Sequence, residues 1–391
     1  MTMISDLSRD LVEEVLSKVP ITCLRAVRST CKLWNVLSKD RVLCKTDITH
    51  QFIGFMVKEY RICSMRFSLH GVGSSIKEIG NLFNQAEICN IIHCYGLLLC
   101  ITKEDKTRRL VVWNPYLGQT RWIQPINNYH RFESSDRYAF GYDHKNSNHK
   151  ILRVFNANRY EIYDFSSNSW RILDIIPDDD IWSRQRGASL KGNTYFVAKE
   201  KTLVDEDVVG EVEIDEPHNL LLCFDFTREG FGPFLPLPFL HYNEDIGTLS
   251  TLRDEKLVVL YQRMVCPEVE IWVTTNIEPD AVSWTPFLNI DMQPLDRGFQ
   301  FGLCSGASFF IDEEMKIAVV FYIYRAEKMA KTRSYHSVCI TGENGYLDNL
   351  DLGDAVYRHV PMRENPYCCP LVCSYVPSLI REEADSPPEN Q

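Results

Sequence analysis

A chain of 391 residues, 45% hydrophobic, 12% aromatic and 24% charged, has a globular composition and room for one large domain plus a small module. Its formal net charge of −11 excludes nucleic acid as the main partner, because phosphate binding asks for a basic surface. The longest apolar run, Ile317–Tyr324, is eight residues, against the ~18–20 that a membrane helix needs, and the opening "MTMISDLSRDL" carries acids where a secretory leader has an apolar core. The fourteen cysteines therefore read as reduced thiols of the cytosol or nucleus.

The first 40 residues are helical in pattern. Leu11, Val12, Val15, Leu16 and Val19 form one stripe along a helix, with Ser8 placed to cap it and Asp10 in its first turn. Pro20 ends that helix. Thr22 can cap a second, "CLRAVRS", and Thr30 a third, "CKLWNVLS", whose apolar members are Cys31, Trp34, Val36 and Leu37. Three such short helices cannot bury their own apolar side chains, and each large one left in water forfeits about 1.5–3 kcal/mol. Either a partner or the chain's own β domain must cover the surplus.

This stretch resembles an F-box. The resemblance is carried by "DLVEEVLSKVP", the Leu-Arg-x-Val-Arg segment Leu24–Arg28 and "STCKLWNVL", in that order and spacing. F-boxes usually begin Leu-Pro, whereas this chain has Leu7-Ser8, which exchanges a pre-set helix start for a hydrogen-bonding cap. The resemblance implies an F-box over 1–45 that docks to a Skp-type adaptor and, through it, to a cullin carrying ubiquitin-transfer machinery. It implies as adaptor-facing residues Leu7, Ser8, Leu11, Val15, Leu16, Val19, Pro20, Leu24, Val27, Cys31 and Trp34.

From residue 48 the chain reads as short β-branched and aromatic strands divided by Gly, Asn, Asp and charge clusters. "IYRAEKMAKTRS" is the one serious helical candidate, and a charged hairpin explains it equally well. A loose repeat runs through 96–123, 140–173, 187–238, 249–287 and 305–345. The period and the four-strand units predict a kelch-like β-propeller of six to seven blades, in which "WNPYLGQTRW" turns between the outer strands and tryptophans fill the gaps between blades. Closure pairs residues 48–60 with "PLVCSYVPSLI"; two β-sandwiches are the alternative architecture. Trp113–Pro115, Gly141–Asp143 and "SYVPSLI" (374–380) resemble the F-box-associated interaction domain of plant F-box proteins, which implies a substrate-capturing domain over 46–380. The tail "REEADSPPENQ" (381–391) reads from its composition as disordered.

The sequence holds no Gly-x-Ser-x-Gly elbow, no His-Glu-x-x-His and no phosphate-cradling loop, so no catalytic residue, cofactor or metal is assigned. Asp178–Asp180 and Asp205–Glu216 lack calcium-loop spacing and read as solvated loops. Cys368, Cys369 and Cys373 lack zinc spacing and read as structural thiols. His93 and Cys94, adjacent on a strand, point to opposite faces and cannot act as a dyad. Loops at 127–138, 205–216 and 229–245 are the candidate partner-binding rim. The reading is a non-catalytic substrate receptor of a Skp–cullin–F-box ubiquitin ligase, placed in the nucleus or cytoplasm, with an unidentified target protein. An adaptor-bound scaffold outside a ligase and a propeller enzyme with a helical cap are the alternatives.

Overall fold

The computed structural model of the chain describes residues 11–12, 27, 30, 32, 34–35, 51–68, 75–79, 83, 86–102, 109–124, 136–155, 159–175, 186–199, 219–239, 246–263, 268–291, 308–328, 331–343, 347–355 and 370–378. The β body consists of six four-stranded antiparallel sheets, which settles the blade number at six. Blade one holds β1 (Gln51–Lys58), β2 (Arg61–Ser68), β3 (Ser75–Glu78) and, as its innermost strand, the chain's last, β24 (Leu371–Ser374). Blade two is β4 (Ile88–Cys94), β5 (Leu97–Thr102), β6 (Leu110–Asn114) and β7 (Gln119–Ile123); blade three is β8 (Arg137–Asp143), β9 (Asn148–Phe155), β10 (Arg159–Asp164) and β11 (Ser169–Leu173). Blade four is β12 (Ala188–Leu190), β13 (Asn193–Lys199), β14 (Asn219–Asp225) and β15 (Gly230–Leu235). Blade five is β16 (Ile246–Leu252), β17 (Lys256–Gln262), β18 (Glu268–Glu278) and β19 (Ala281–Asp291); blade six is β20 (Ser308–Asp312), β21 (Ile317–Lys328), β22 (Lys331–Gly342) and β23 (Leu347–Asp354).

The pattern of each strand follows its place in a blade. β5 and β6 are apolar except for their last residues, Thr102 and Asn114, and are buried at every position, because sheets pack on both of their faces. The outer β11 and β19 alternate with solvent and carry the polar residues. Tryptophans fill the gaps between blades as expected: Trp113 meets Phe55 of blade one edge-on at 5.1 Å. Trp170 and Trp284 each donate the indole N–H to a carbonyl just beyond the preceding blade's outer strand, Gln124 O at 2.7 Å and Pro236 O at 3.0 Å. The charged segment around Ala326 is a hairpin, since β21 and β22 pair from Ile317↔Gly342 to Lys328↔Lys331.

The turns sort the molecule into two unlike faces. Strands reverse direction in succession, so first-to-second and third-to-fourth hairpins share one face, while second-to-third links and blade crossovers share the other. On the hairpin face of blades two to six every link is two to four residues. Tyr95-Gly96 and Lys191-Gly192 have positive φ at both positions (45° and 80°; 50° and 82°), the geometry of two-residue turns that match strand twist. In longer links Asn114, Asp143, Asp164, Asp225 and Asp312 each accept with Oδ1 from the N–H groups two and three residues on, at 2.8–3.4 Å. On the opposite face the links reach nineteen residues, between β13 and β14.

The ring closes where the sequence reading placed the seam: β24 pairs antiparallel with β1 from Gly54↔Ser374 to Val57↔Leu371. Of the helical head, Leu11, Val12, Val27, Lys32, Trp34 and Asn35 are helical. Thr30, expected to start the third helix, is tied back to the second, its N–H and hydroxyl both donating to Val27 O at 3.1 and 2.6 Å. Cys63, Cys94, Cys100, Cys223 and Cys339 are buried thiols, and burial pushes Cys223 and Cys339 up to about 12, which leaves them un-ionised and unreactive. Asp178–Asp180, Asp205–Glu216, Cys368 and Cys369 lie outside the described residues.

Candidate interaction surfaces

Of the proposed adaptor-facing residues, Leu11, Val27 and Trp34 are described; Leu7, Ser8, Val15, Leu16, Val19, Pro20, Leu24 and Cys31 lie outside the described residues. Leu11 is 51% exposed, whereas its neighbour Val12 is 1% exposed and packs against the half-buried Val27 and Trp34. Two adjacent residues that the sequence pattern put in one apolar stripe thus differ, Val12 facing inward and Leu11 outward.

The second surface is the propeller axis. In a six-bladed ring, blades two and five face each other across the channel, as do blades one and four. His93 of blade two reaches Asp254 of blade five, Nδ1 to Oδ1 at 3.7 Å, so their side chains cross the axis on the hairpin face. Toward the other face Arg186, preceding β12 of blade four, donates to Ser308 Oγ of blade six at 2.8 Å and lies near Cys373 of blade one. Burial lowers the Arg186 guanidinium to about 10, and burial also lowers His93 despite the nearby Asp254. His93 is thus a neutral ring that accepts the Gly96 N–H at 2.9 Å, and Cys94 points away from it into the core between blades two and three. The dyad is excluded by geometry, as expected.

Above His93 and Asp254 the hairpin face opens into a cavity of about 360 Å³ lined by Tyr95, Tyr142, His144, Asp254, Val376, Pro377 and Ser378. Its three rings meet at near right angles, with Tyr95–Tyr142, Tyr142–His144 and Tyr95–His144 centroids at 5.2, 5.3 and 5.9 Å. Burial, with the charge of Asp254 adding to it, pushes the Tyr95 phenol up to about 12, so it stays protonated. His144 is oriented by Lys191 O, 3.0 Å from its Nε2. Among the described residues no group of three His, Cys, Asp or Glu side chains could hold a metal ion.

With two domains and their geometry in place, comparison with known families decides the kinship. The F-box domain model matches residues 4–46 and the F-box associated beta propeller domain model matches residues 53–381. The chain belongs to the F-box proteins with an associated β-propeller. A putative F-box protein of Arabidopsis thaliana is 55% identical over 97% of this chain and 96% of its own length. An F-box/kelch-repeat protein of the same plant is 48% identical over 99% of this chain and 98% of its own.

In this F-box protein the motifs that carried the propeller resemblance interlock. Asn114 of Trp-Asn-Pro-Tyr builds its own turn with Oδ1 and donates Nδ2 to Ser378 O at 3.2 Å, while Tyr116 N–H donates to Tyr375 Oη at 3.2 Å. Gly96 must be glycine on two counts: its φ is +80°, and a Cβ there would lie 2.1 Å from Ser378 Cβ. Gly141 lets blade four close on blade three, since a Cβ would meet Phe226 at 2.0 Å. These residues are structural, as read from the sequence, but Tyr142 also walls the cavity. The loops proposed as a binding rim, 127–138, 205–216 and 229–245, lie wholly or partly outside the described residues; 127–138 and 205–216 join strands on the face opposite the cavity, and 229–245 runs from the β14–β15 hairpin along β15 to that same opposite face. Sequence reasoning missed the cavity. No local signal marked it: the positive φ of Tyr95 and Asp254 (45° and 55°) belongs to the folded backbone, and aspartate is an ordinary residue in such turns.

Proposed function

We propose that the protein is the substrate receptor of a Skp–cullin–F-box ubiquitin ligase, holding the adaptor with its helical head and a target protein with its propeller. The observation that carries the reading is the order of the domains: a helical unit too small to bury its own apolar side chains stands before a propeller that closes on itself through β1 and β24. The propeller completes its ring through β1 and β24 without the head, and Leu11 of the head is half exposed. Its role in ubiquitin transfer is proximity, raising the effective concentration of target lysines beside the loaded enzyme while contributing no reacting group. The proposed setting is the nucleus or cytoplasm.

The test is co-elution of the purified chain with a Skp-type adaptor. Leu11→Asp puts a charge on the exposed side of the first helix while leaving Val12 and its packing in place. The expected result is a stable complex for the wild type and its loss for Leu11→Asp and Leu16→Asp, with propeller unfolding unchanged. A wild-type chain that elutes alone would overturn the reading.

A further inference from the structure

The hairpin-face cavity combines an acid and aromatic walls in a way that selects a ligand. Asp254 lines it, and among the described residues its only ion-pair neighbour is His93, which burial keeps neutral. Among the described residues no lysine or arginine forms an ion pair with this carboxylate. An anionic ligand would be repelled, and an apolar one would desolvate Asp254 without compensation. A cation satisfies the carboxylate and also gains from the negative faces of tyrosine rings. The three rings stand at near right angles to one another in the wall of the cavity. At about 360 Å³ the cavity lies at the low end of the ~300–1,000 Å³ usual for ligand sites, which suits one side chain rather than a large molecule.

The backbone points the same way. Tyr95 holds a positive φ of 45°, a costly choice for a tyrosine when Gly or Asn would form the same turn. The two tyrosines rest on rigid support: Tyr95 on the two-residue turn against Ser378, Tyr142 on its N–H bond to Gly192 O at 2.8 Å.

We propose that this cavity binds the cationic side chain of a lysine or arginine on a target protein, with Asp254 as counter-charge and Tyr95 and Tyr142 as aromatic walls. The source of that side chain rests on the receptor reading; the cation site itself does not.

The probe is Nα-acetyl-lysine N-methylamide, titrated calorimetrically into the purified full-length chain beside its uncharged counterpart, Nα-acetyl-norleucine N-methylamide. The expected result is saturable binding of the lysine probe at least about tenfold tighter than the norleucine probe. Asp254→Asn is expected to weaken the lysine probe by about tenfold or more. Tyr95→Asn, which removes the ring but keeps a residue that accepts the left-handed turn, is expected to weaken it about threefold or more. Equal binding of the two probes, no binding of the lysine probe, or an Asp254→Asn chain that titrates like the wild type would each overturn the proposal. Adaptor co-elution separates the two hypotheses: Asp254→Asn keeps it, and its absence from the wild type would sink the receptor reading while leaving the probe titration to stand or fall alone.

Discussion

His149 lies 3% exposed between blades two and three, its ring stacked on Phe140 with centroids 5.2 Å apart and its Nε2 3.3 Å from Cys94 O. Burial lowers its pKa to about 4, outweighing the bond to Cys94 O, against about 6.5 in an unfolded chain. Between those two values the unfolded state binds a proton that the native state refuses, so stability is complete above about 6.5 and falls as pH drops toward 4. His93 is lowered too and acts in the same direction. Asp143, whose burial is outweighed by its bonds to Lys150 and Asn146, titrates below this window and does not obscure it. Between pH 7.5 and 5.0, His149 alone should remove about 2 kcal/mol of stability. Urea unfolding at the two pH values measures the loss, and His149→Phe should flatten the difference by about that amount. An equally steep loss in the variant would show that the histidine is not responsible.

At the scale of an element, blade three carries a buried ion triad. Arg153 on β9 pairs with Asp136 at 2.7 Å and, directly across the sheet, with Glu161 on β10 at 2.9 Å, all three nearly inaccessible to water. Removing the cation from such a group strands two carboxylates where water cannot reach them. Arg153→Met is therefore expected to cost about 3–5 kcal/mol in chemical unfolding, and adding Asp136→Asn and Glu161→Gln should recover much of it. A triple variant no more stable than the single one would assign the loss to the arginine's packing on Phe155 instead. Neither this triad nor the cavity could be read from the sequence, and for one reason. Strand and turn signals are local: Trp113-Asn114-Pro115, or the apolar run of β5, declares itself within a few residues. Which Asp meets which Arg, or that Tyr95 and Asp254 line one cavity, depends on register and on blades meeting around an axis, and no local pattern encodes that.

At the scale of the whole molecule, the blade period, the seam and the helical head were legible, because a repeat and a solitary amphipathic unit both leave long-range marks in composition. The face carrying the cavity was not; charged and aromatic loops drew attention to the opposite face, while the short hairpins looked merely structural. The seam also makes the fold's strongest global prediction. β24 contributes the innermost strand of blade one, and just after it Tyr375 packs on Phe55 at 5.1 Å and accepts the Tyr116 N–H, tying the chain's end to blade two. A chain ending at residue 370 loses that strand, its ladder to β1, the buried Tyr375 and the half-buried Leu371 and Val372, where full burial of one large side chain is worth about 1.5–3 kcal/mol. The sum, about 3–6 kcal/mol, rivals the ~5–15 kcal/mol total of an ordinary domain. The truncated chain is expected to unfold at a far lower urea concentration and over a broader range, because an open array of blades lacks the contact that makes the ring unfold as one. A chain ending at residue 381 keeps the seam and should unfold like the full-length protein. If the two truncations unfolded alike, closure through β24 would contribute nothing, and the blades would be holding together through their neighbours alone.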